Sequence, residues 1–502
     1  MLLSVLALIP ATLSTPPTRA QADEGVGAIV ARPAAGDDTK LDYEALARSF
    51  RERHGIEASK PSELDIAAFV EKHFVVAQPG IFDVFMPRAA AVEISGARDF
   101  GDLTLSLLRL QKSWLDFSAD ESASTKQALS DIKTLEKWFK GLKPGLLASS
   151  LQAGETDFFA ALQMKDDPLE AKDRLRATML AGEAIGLSRT DAKPARLILI
   201  PERRDFVEFL ALVGWQDETN RSFYWVDGIQ NWTEFFYGDF RVLALQYAEP
   251  NMPPGVYDRG LDMNQDNPNR MAEQICQIGA NAMLENYYGD RMPGAFLQGL
   301  SMCLVIDVFG EVDTRIDGDL RSRETQGRSI FIPGGQSEGG RLPKFSADSD
   351  WRSEQGRGWF VRQLRQSQKG GGDANRKAPN RFASFEVKDL GQSERHVVSA
   401  PFFGSSATKA EPLPDTFGPD FQELLRSYKT AFLHWLRTES MGKNKSGDEF
   451  GALLKGMTAE DALTKFEALF TEIYDGAPLS DGTASKDSLE GKFLVWLSKQ
   501  KS

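Results

Sequence analysis

Apolar residues recur at helical spacing over most of the chain. In the C-terminal part, seven residues at intervals of about three or four define one apolar face: Phe421, Leu424, Leu425, Tyr428, Phe432, Trp435 and Leu436. A stripe of this period is typical of an amphipathic helix. Similar spacing recurs between residues 41 and 187, so we predict a helical N-terminal region there.

The pattern changes at Ala195. Arg196–Ile200 is a short apolar run that ends at Pro201, and a helical pattern follows from Asp205 to Gly214. Two further runs rich in aromatic or β-branched residues, Ser222–Val226 and Arg241–Ala248, are typical of strands. We therefore predict an α+β fold that is predominantly helical, with a strand-helix-strand body.

Two helices are predicted after these strands. Asn267-Pro268 opens a long helix through Leu284, and a second helix runs from Pro293 to Val308. The next hundred residues are loop-rich and contain several glycine clusters, so we interpret them as an insertion. We therefore predict that the chain is divided into six segments: a signal peptide (1–22), a flexible lead-in (23–40), a helical N-terminal region (41–190), a core (191–312), the loop-rich insertion (313–414) and a C-terminal helical part (415–502).

The first residues predict export. Leu2–Leu13 is an apolar run too short to span a bilayer, and Ala20-Gln21-Ala22 offers a small-x-small cleavage pattern. The mature chain would start at Asp23, in the periplasm or outside the cell. An uncleaved anchor and an ordinary buried N-terminus are the alternatives. No later segment of the sequence predicts a transmembrane span.

Charge and composition narrow the classes of partner. The net charge is −13, which argues against nucleic acid because phosphate binding requires a basic surface. The chain has 4 histidines, none within a helical turn of another, and 2 cysteines, so no local metal-binding motif exists. We predict no cofactor and no metal from these residues.

The two helices after the strands carry a resemblance to a known family. Ile278–Glu285 is followed by Tyr287-Tyr288-Gly289, then by Met292–Phe296 and at once by Gln298–Ser301. The order and spacing of these phrases resemble the core of the peptidase MA-like gluzincins, which are zinc metallopeptidases. In that family one helix carries His-Glu-x-x-His, and the next helix opens with Glu-Gly-Leu-Ala.

The resemblance implies that the zinc chemistry is lost. Ile278 stands at the first histidine, Gly279 at the catalytic glutamate, Ala282 at the second histidine and Gln298 at the third ligand. Aliphatic side chains offer no lone pair to a metal, and a lone carboxamide is a poor zinc ligand. We therefore expect a non-catalytic relative that binds a polypeptide or a cell-surface polymer. An unrelated α+β protein with two apolar helices is the alternative.

The same alignment brings the two cysteines into relation. If the two helices run antiparallel, Cys276 and Cys303 lie at a similar level. In an oxidising compartment they could form one disulfide that staples the two helices. Two separate buried thiols are the alternative.

Other residues support competing interpretations. The aromatic stretch around Tyr224, Trp225, Trp232 and Tyr237 forms either core strands or a ligand groove. An active exported hydrolase would need a carboxylate pair, with candidates at Glu273, Glu285, Asp290 and Asp307. A purely structural envelope component is a third possibility.

Overall fold

The computed structural model describes residues 42–88, 91, 97–118, 122–142, 150, 154–182, 193–200, 203–216, 234–237, 240–244, 270–292, 294–309, 419–442, 445–462, 464–479 and 486–500. These residues confirm a predominantly helical α+β fold. They belong to one compact unit that begins at Leu41. The predicted signal peptide, the lead-in and the insertion at 313–414 lie outside the described residues.

Helices form most of the described structure. In chain order they are α1 Tyr43–Arg53, α2 Ile66–His73, α3 Ala97–Ser118, α4 Ala123–Lys140, α5 Phe158–Ala161, α6 Asp166–Ala181, α7 Arg203–Gln216, α8 Arg270–Tyr288, α9 Gly294–Phe309, α10 Pro419–Thr438, α11 Ser446–Gly456, α12 Phe466–Ile473 and α13 Leu489–Ser498. Short 3-10 turns lie at Pro61–Glu63 and Gly289–Arg291. Within the described residues, no helix has both the length and the apolar character that a membrane crossing requires.

One mixed sheet passes through the molecule. Its strands are β1 Phe74–Ala77, β2 Phe82–Pro87, β3 Ala195–Ile200, β4 Glu234–Tyr237 and β5 Phe240–Ala244, in the spatial order β1-β2-β3-β5-β4. The three central strands are parallel, and β1 and β4 each pair antiparallel with a neighbour. The parallel strands are largely buried, as expected for a sheet covered on both faces.

The side chains of β3 divide the core into two parts. Leu197 and Leu199 join the larger cluster, which includes residues of α3, α8, α9 and the C-terminal helices. Ile198 and Ile200 join a second cluster with α1, α2 and α7. Because successive strand residues point to opposite faces, this alternation places one helical layer on each side of the sheet.

A β-hairpin occurs where the sequence predicted only helices. β1 follows α2 directly, and β2 follows after the turn at Gln78–Ile81. β2 then pairs in parallel with β3, more than one hundred residues later in the chain. The predicted boundary near residue 190 therefore does not separate two independent cores. The single larger cluster contains residues of all three predicted parts, 41–190, 191–312 and 415–502.

Helix ends follow local capping chemistry. The Asp42 carboxylate accepts a hydrogen bond from the Ala45 amide at 3.0 Å, and Asp65 does the same for Ala68 at 3.0 Å. α6 ends at Gly182, whose φ of 70° is left-handed. α12 starts at Phe466, and upstream of it the Thr458 hydroxyl donates to the Lys455 carbonyl at 2.8 Å.

Candidate functional site

α8 is buried on nearly every side between Ile275 and Leu284. It packs against α3, α9 and β3, and its aliphatic residues in this stretch have little or no exposure. Such all-round burial is typical of a core helix. The polar exceptions are Gln277 and Asn281, which are 9% and 6% exposed and lie one helical turn apart.

Three of the four positions implied by the family resemblance lie in this core. Ile278 is fully buried and Ala282 is 7% exposed. A Cβ atom on Gly279 would lie 2.8 Å from Leu107 Cδ2 and 3.5 Å from Phe82 Cε1. The Gly279 position therefore faces α3 and β2 with no room for a long side chain. Gln298 lies on α9, and its side chain is outside the described residues.

The polar face of α8 begins one residue before the predicted positions. Residues four apart on a helix share a face, so Gln277 and Asn281 point the same way. The Gln277 Nε2 donates to Met302 Sδ at 3.2 Å, which directs this face toward α9. The buried Gln277 Oε1 and Asn281 Oδ1 accept no hydrogen bond from any described residue.

The two helices bring this face close to the start of α9. α8 and α9 are joined by a short turn and pack along their length, so they run in opposite directions. Gln277 of α8 contacts Met302 of α9, so these two residues lie at the same height along the helix pair. Because the helices are antiparallel, moving four residues forward along α8 reaches the same height as moving four residues back along α9. Asn281 is therefore level with the backbone of Gln298.

The same face reaches the surface one turn later. Glu285 follows Asn281 at the same spacing and is half-exposed. Its carboxylate accepts a hydrogen bond from Arg241 of β5, whose side chain is buried. We call Gln277, Asn281 and Glu285 the α8 polar stripe. It runs from the core toward the start of β5.

Of the two arrangements open for the cysteines, the structure has the separate thiols. Cys276 and Cys303 are both buried, and they are not joined in a disulfide. The Cys303 Sγ donates to the carbonyl oxygen of Thr430 at 3.5 Å, so its side chain turns toward α10. Cys276 and Cys303 form no disulfide although we predicted that they lie at a similar height on the two helices, because the Cys303 thiol faces a third helix, α10.

The carboxylates proposed for a hydrolase are not brought together where the structure describes them. Glu285 pairs with Arg241, and Asp307 accepts from Arg437 at 2.9 Å. These two carboxylates lie near the C-terminal ends of antiparallel helices, which separates them by about 20 Å at 1.5 Å per residue. The two catalytic carboxyl groups of a glycoside hydrolase lie within about 10 Å of each other. The side chains of Glu273 and Asp290 lie outside the described residues.

The predicted aromatic groove cannot be traced in the described residues. Tyr224, Trp225 and Trp232 fall outside them, and Tyr237 is described only as a backbone position at the end of β4. No group of three or more histidine, cysteine or acidic side chains that could hold a metal occurs within the described parts of the chain.

Sequence reasoning missed the two carboxamides of α8. The signal was present, since Gln277 and Asn281 are the polar side chains of an otherwise apolar stretch from Ile275 to Leu284. Comparison of the chain with models of known families, with curated proteins and with solved structures found no match in any of the three searches.

Proposed function

We propose that this chain is an exported, non-catalytic relative of the gluzincin peptidases that binds a polypeptide through the α8 polar stripe. One observation carries the proposal: two buried carboxamides on one face of α8 leave their oxygens without hydrogen-bond donors among the described residues. The role as a relative of these peptidases, the export and the ligand are parts of the same proposal.

The chemistry of these side chains favours binding over catalysis. A carboxamide is neutral at all accessible pH values, so it neither takes a proton from water nor binds zinc as histidine and carboxylate do. A buried acceptor without a donor costs about 1–3 kcal/mol. A ligand that supplies N–H donors to Gln277 and Asn281 would remove this cost, and because these residues are only 9% and 6% exposed, α9 must move away from α8 for the ligand to reach them.

The spacing of the two side chains favours an extended polypeptide as the ligand. Side chains one helical turn apart have Cβ atoms about 6 Å apart. In an extended strand, amides two residues apart face the same side and are separated by about 6.7 Å. Two successive N–H groups on one edge of a bound segment would therefore match Gln277 and Asn281. The alternative ligand is a polysaccharide of the cell surface, and the binding test described below distinguishes it from a polypeptide.

Replacing Gln277 with methionine and Asn281 with leucine should abolish binding without loss of stability. Both carboxamide oxygens lack a donor among the described residues, and the described contact of the Gln277 Nε2 is a weak one to Met302 Sδ, so apolar groups of similar shape should be nearly neutral or stabilising here. We expect at least a tenfold rise in the Kd for a fluorescent unfolded polypeptide, such as reduced and carboxymethylated α-lactalbumin, measured by anisotropy. Thermal unfolding of the same variant reports its stability.

A matched control is Gln127→Leu, which removes an exposed carboxamide on α4 that donates to Asp131 at 3.1 Å. This variant should bind the unfolded polypeptide like the wild type. Equal binding by the double variant and the wild type would contradict the proposed site. Binding of soluble peptidoglycan fragments in place of the polypeptide would replace the proposed ligand class.

A further inference from the structure

The N-terminal helices pack on the sheet face opposite α8. We call residues 43–73, which include α1 and α2, the N-terminal clasp. Phe50 of α1 lies with its ring centroid 5.6 Å from that of Phe209 on α7, and 6.3 Å from that of Phe69 on α2. These rings belong to the smaller core cluster, so the clasp covers one face of the sheet together with α7.

An ion-pair cluster fastens the end of α1 to α7. The Arg53 guanidinium pairs with the carboxylates of Asp205 and Glu208, and the Glu208 side chain is 1% exposed. The Ser49 hydroxyl also contacts Glu208, at 3.5 Å. Two carboxylates of α7 therefore converge on one guanidinium at the end of α1.

His54 follows Arg53 directly and lies among aromatic rings. Its ring centroid is 4.2 Å from that of Phe50 and 6.1 Å from that of Phe69. Its Nε2 is buried and has no hydrogen-bond partner among the described residues. On the other side of Phe69, His73 stacks at 4.8 Å. The structure therefore offers no described hydrogen-bond acceptor to a proton on Nε2 of His54.

The charged groups near His54 do not compensate for a positive charge on it. Burial lowers the pKa of His54, the Arg53 cation on α1 lowers it further and His73 of α2 contributes a smaller lowering, whereas Asp205 of α7 opposes these effects. Glu208 of α7 faces Arg53. A protonated His54 would place a second cation beside Arg53, with its Nε2–H buried and without an acceptor.

We propose that the N-terminal clasp is an acid-sensitive element that detaches from α7 when His54 becomes charged. The sign follows from linkage. Above the ordinary histidine pKa of about 6.5, His54 is neutral in both attached and detached states. Below this value the detached state binds a proton and the attached state resists it. The free-energy cost of keeping the clasp attached therefore begins to appear below about pH 6.5 and reaches its full value below the lowered pKa of the attached state.

Hydrogen–deuterium exchange of the whole protein between pH 7.5 and 5.0 tests the proposal. After correction for the intrinsic effect of pH on exchange, amides of α1 and α2 should exchange severalfold faster at pH 5.0 than at pH 7.5. Amides of α4, on the opposite side of the sheet, should not change. His54→Leu removes the titrating group and should keep the clasp protected at both pH values.

Two further measurements keep the proposal falsifiable. His73→Leu should leave the acid release intact; release that persists in His54→Leu and disappears in His73→Leu would overturn the assignment. In the wild type, exchange of the His54 C2 hydrogen followed by mass spectrometry reports its titration directly. Titration at or above pH 6.5, or clasp protection that is independent of that titration, would also overturn it. This inference does not depend on ligand binding at α8.

Discussion

Gly279→Glu is expected to unfold the protein or to lower its free energy of unfolding by about 4–6 kcal/mol. The substitution restores the catalytic glutamate at the position that the family resemblance implies. In the fold, a Cβ at this position already lies 2.8 Å from Leu107 Cδ2 and 3.4 Å from Leu110 Cδ2. A carboxylate there would be overpacked and desolvated. Urea unfolding followed by circular dichroism measures the loss.

Gly279→Ala is the matched control. Its single methyl group meets the flexible end of Leu107, and alanine favours a helix over glycine by about 1 kcal/mol. We expect the stability of this variant to stay within about 1 kcal/mol of the wild type. If Gly279→Glu were as stable as Gly279→Ala, the position would line a cavity or cleft, and our assignment of this face of α8 to the core would be wrong.

Gln111→Leu is expected to cost about 2–4 kcal/mol of stability. Gln111 of α3 is fully buried and holds the turn between β1 and β2. Its Oε1 accepts from the Ile81 amide at 2.9 Å, and its Nε2 donates to the Pro79 carbonyl at 3.1 Å. Leucine fills similar space but removes the described acceptor of the buried Ile81 amide, and it leaves the Pro79 carbonyl with only the Phe82 amide as a donor among the described residues, at 3.3 Å. Thermal and urea unfolding of this variant check the prediction. The control is Gln127→Leu, which removes an exposed carboxamide.

The same turn explains the glycine that follows Pro79. Gly80 has a φ of +61°, and a Cβ at this position would overlap the carboxamide of Gln111. Gly80→Ala should therefore destabilise the protein strongly, and combining it with Gln111→Ala should cost less than the sum of the two single changes. Simple additivity would show that the turn and α3 are not coupled through this contact.

The helical part of the fold was predictable because its signals are local. The sequence predicted helices at Asn267–Leu284 and Pro293–Val308, and the structure has α8 and α9 at nearly the same bounds. β3 was recognised from its apolar run and the proline after it. In each case the deciding features lie within a few residues of one another.

The hairpin of β1 and β2 escaped prediction because its stability is not local. β1 is only four residues long and follows α2 without a break, so its apolar residues continue a helical pattern. β2 is stabilised by parallel pairing with β3 and by burial under helices far away in the sequence. Periodicity within one segment does not reveal such contacts.

The sequence drew attention to α8 and to the start of α9, where we propose a site, but it did not indicate which face of α8 is polar. The family phrases pointed to α8 and to the start of α9, yet the positions chosen, Ile278, Gly279 and Ala282, lie in the core. The polar face at Gln277 and Asn281 became distinct only when packing showed which side of α8 faces α9. Adjacent residues on a helix point in directions that differ by about 100°. Choosing Ile278 instead of Gln277 therefore selects a different face of α8.

The measurement that tests the central claim most directly is the zinc content of the purified protein after exposure to zinc and dialysis, together with hydrolysis of a peptide library. We predict no zinc held in stoichiometric amount and no turnover, because the two buried residues of the α8 polar stripe, Gln277 and Asn281, are neutral carboxamides. One tightly held zinc per chain with peptide hydrolysis would contradict the account and identify the protein as a metallopeptidase with ligands elsewhere in the chain.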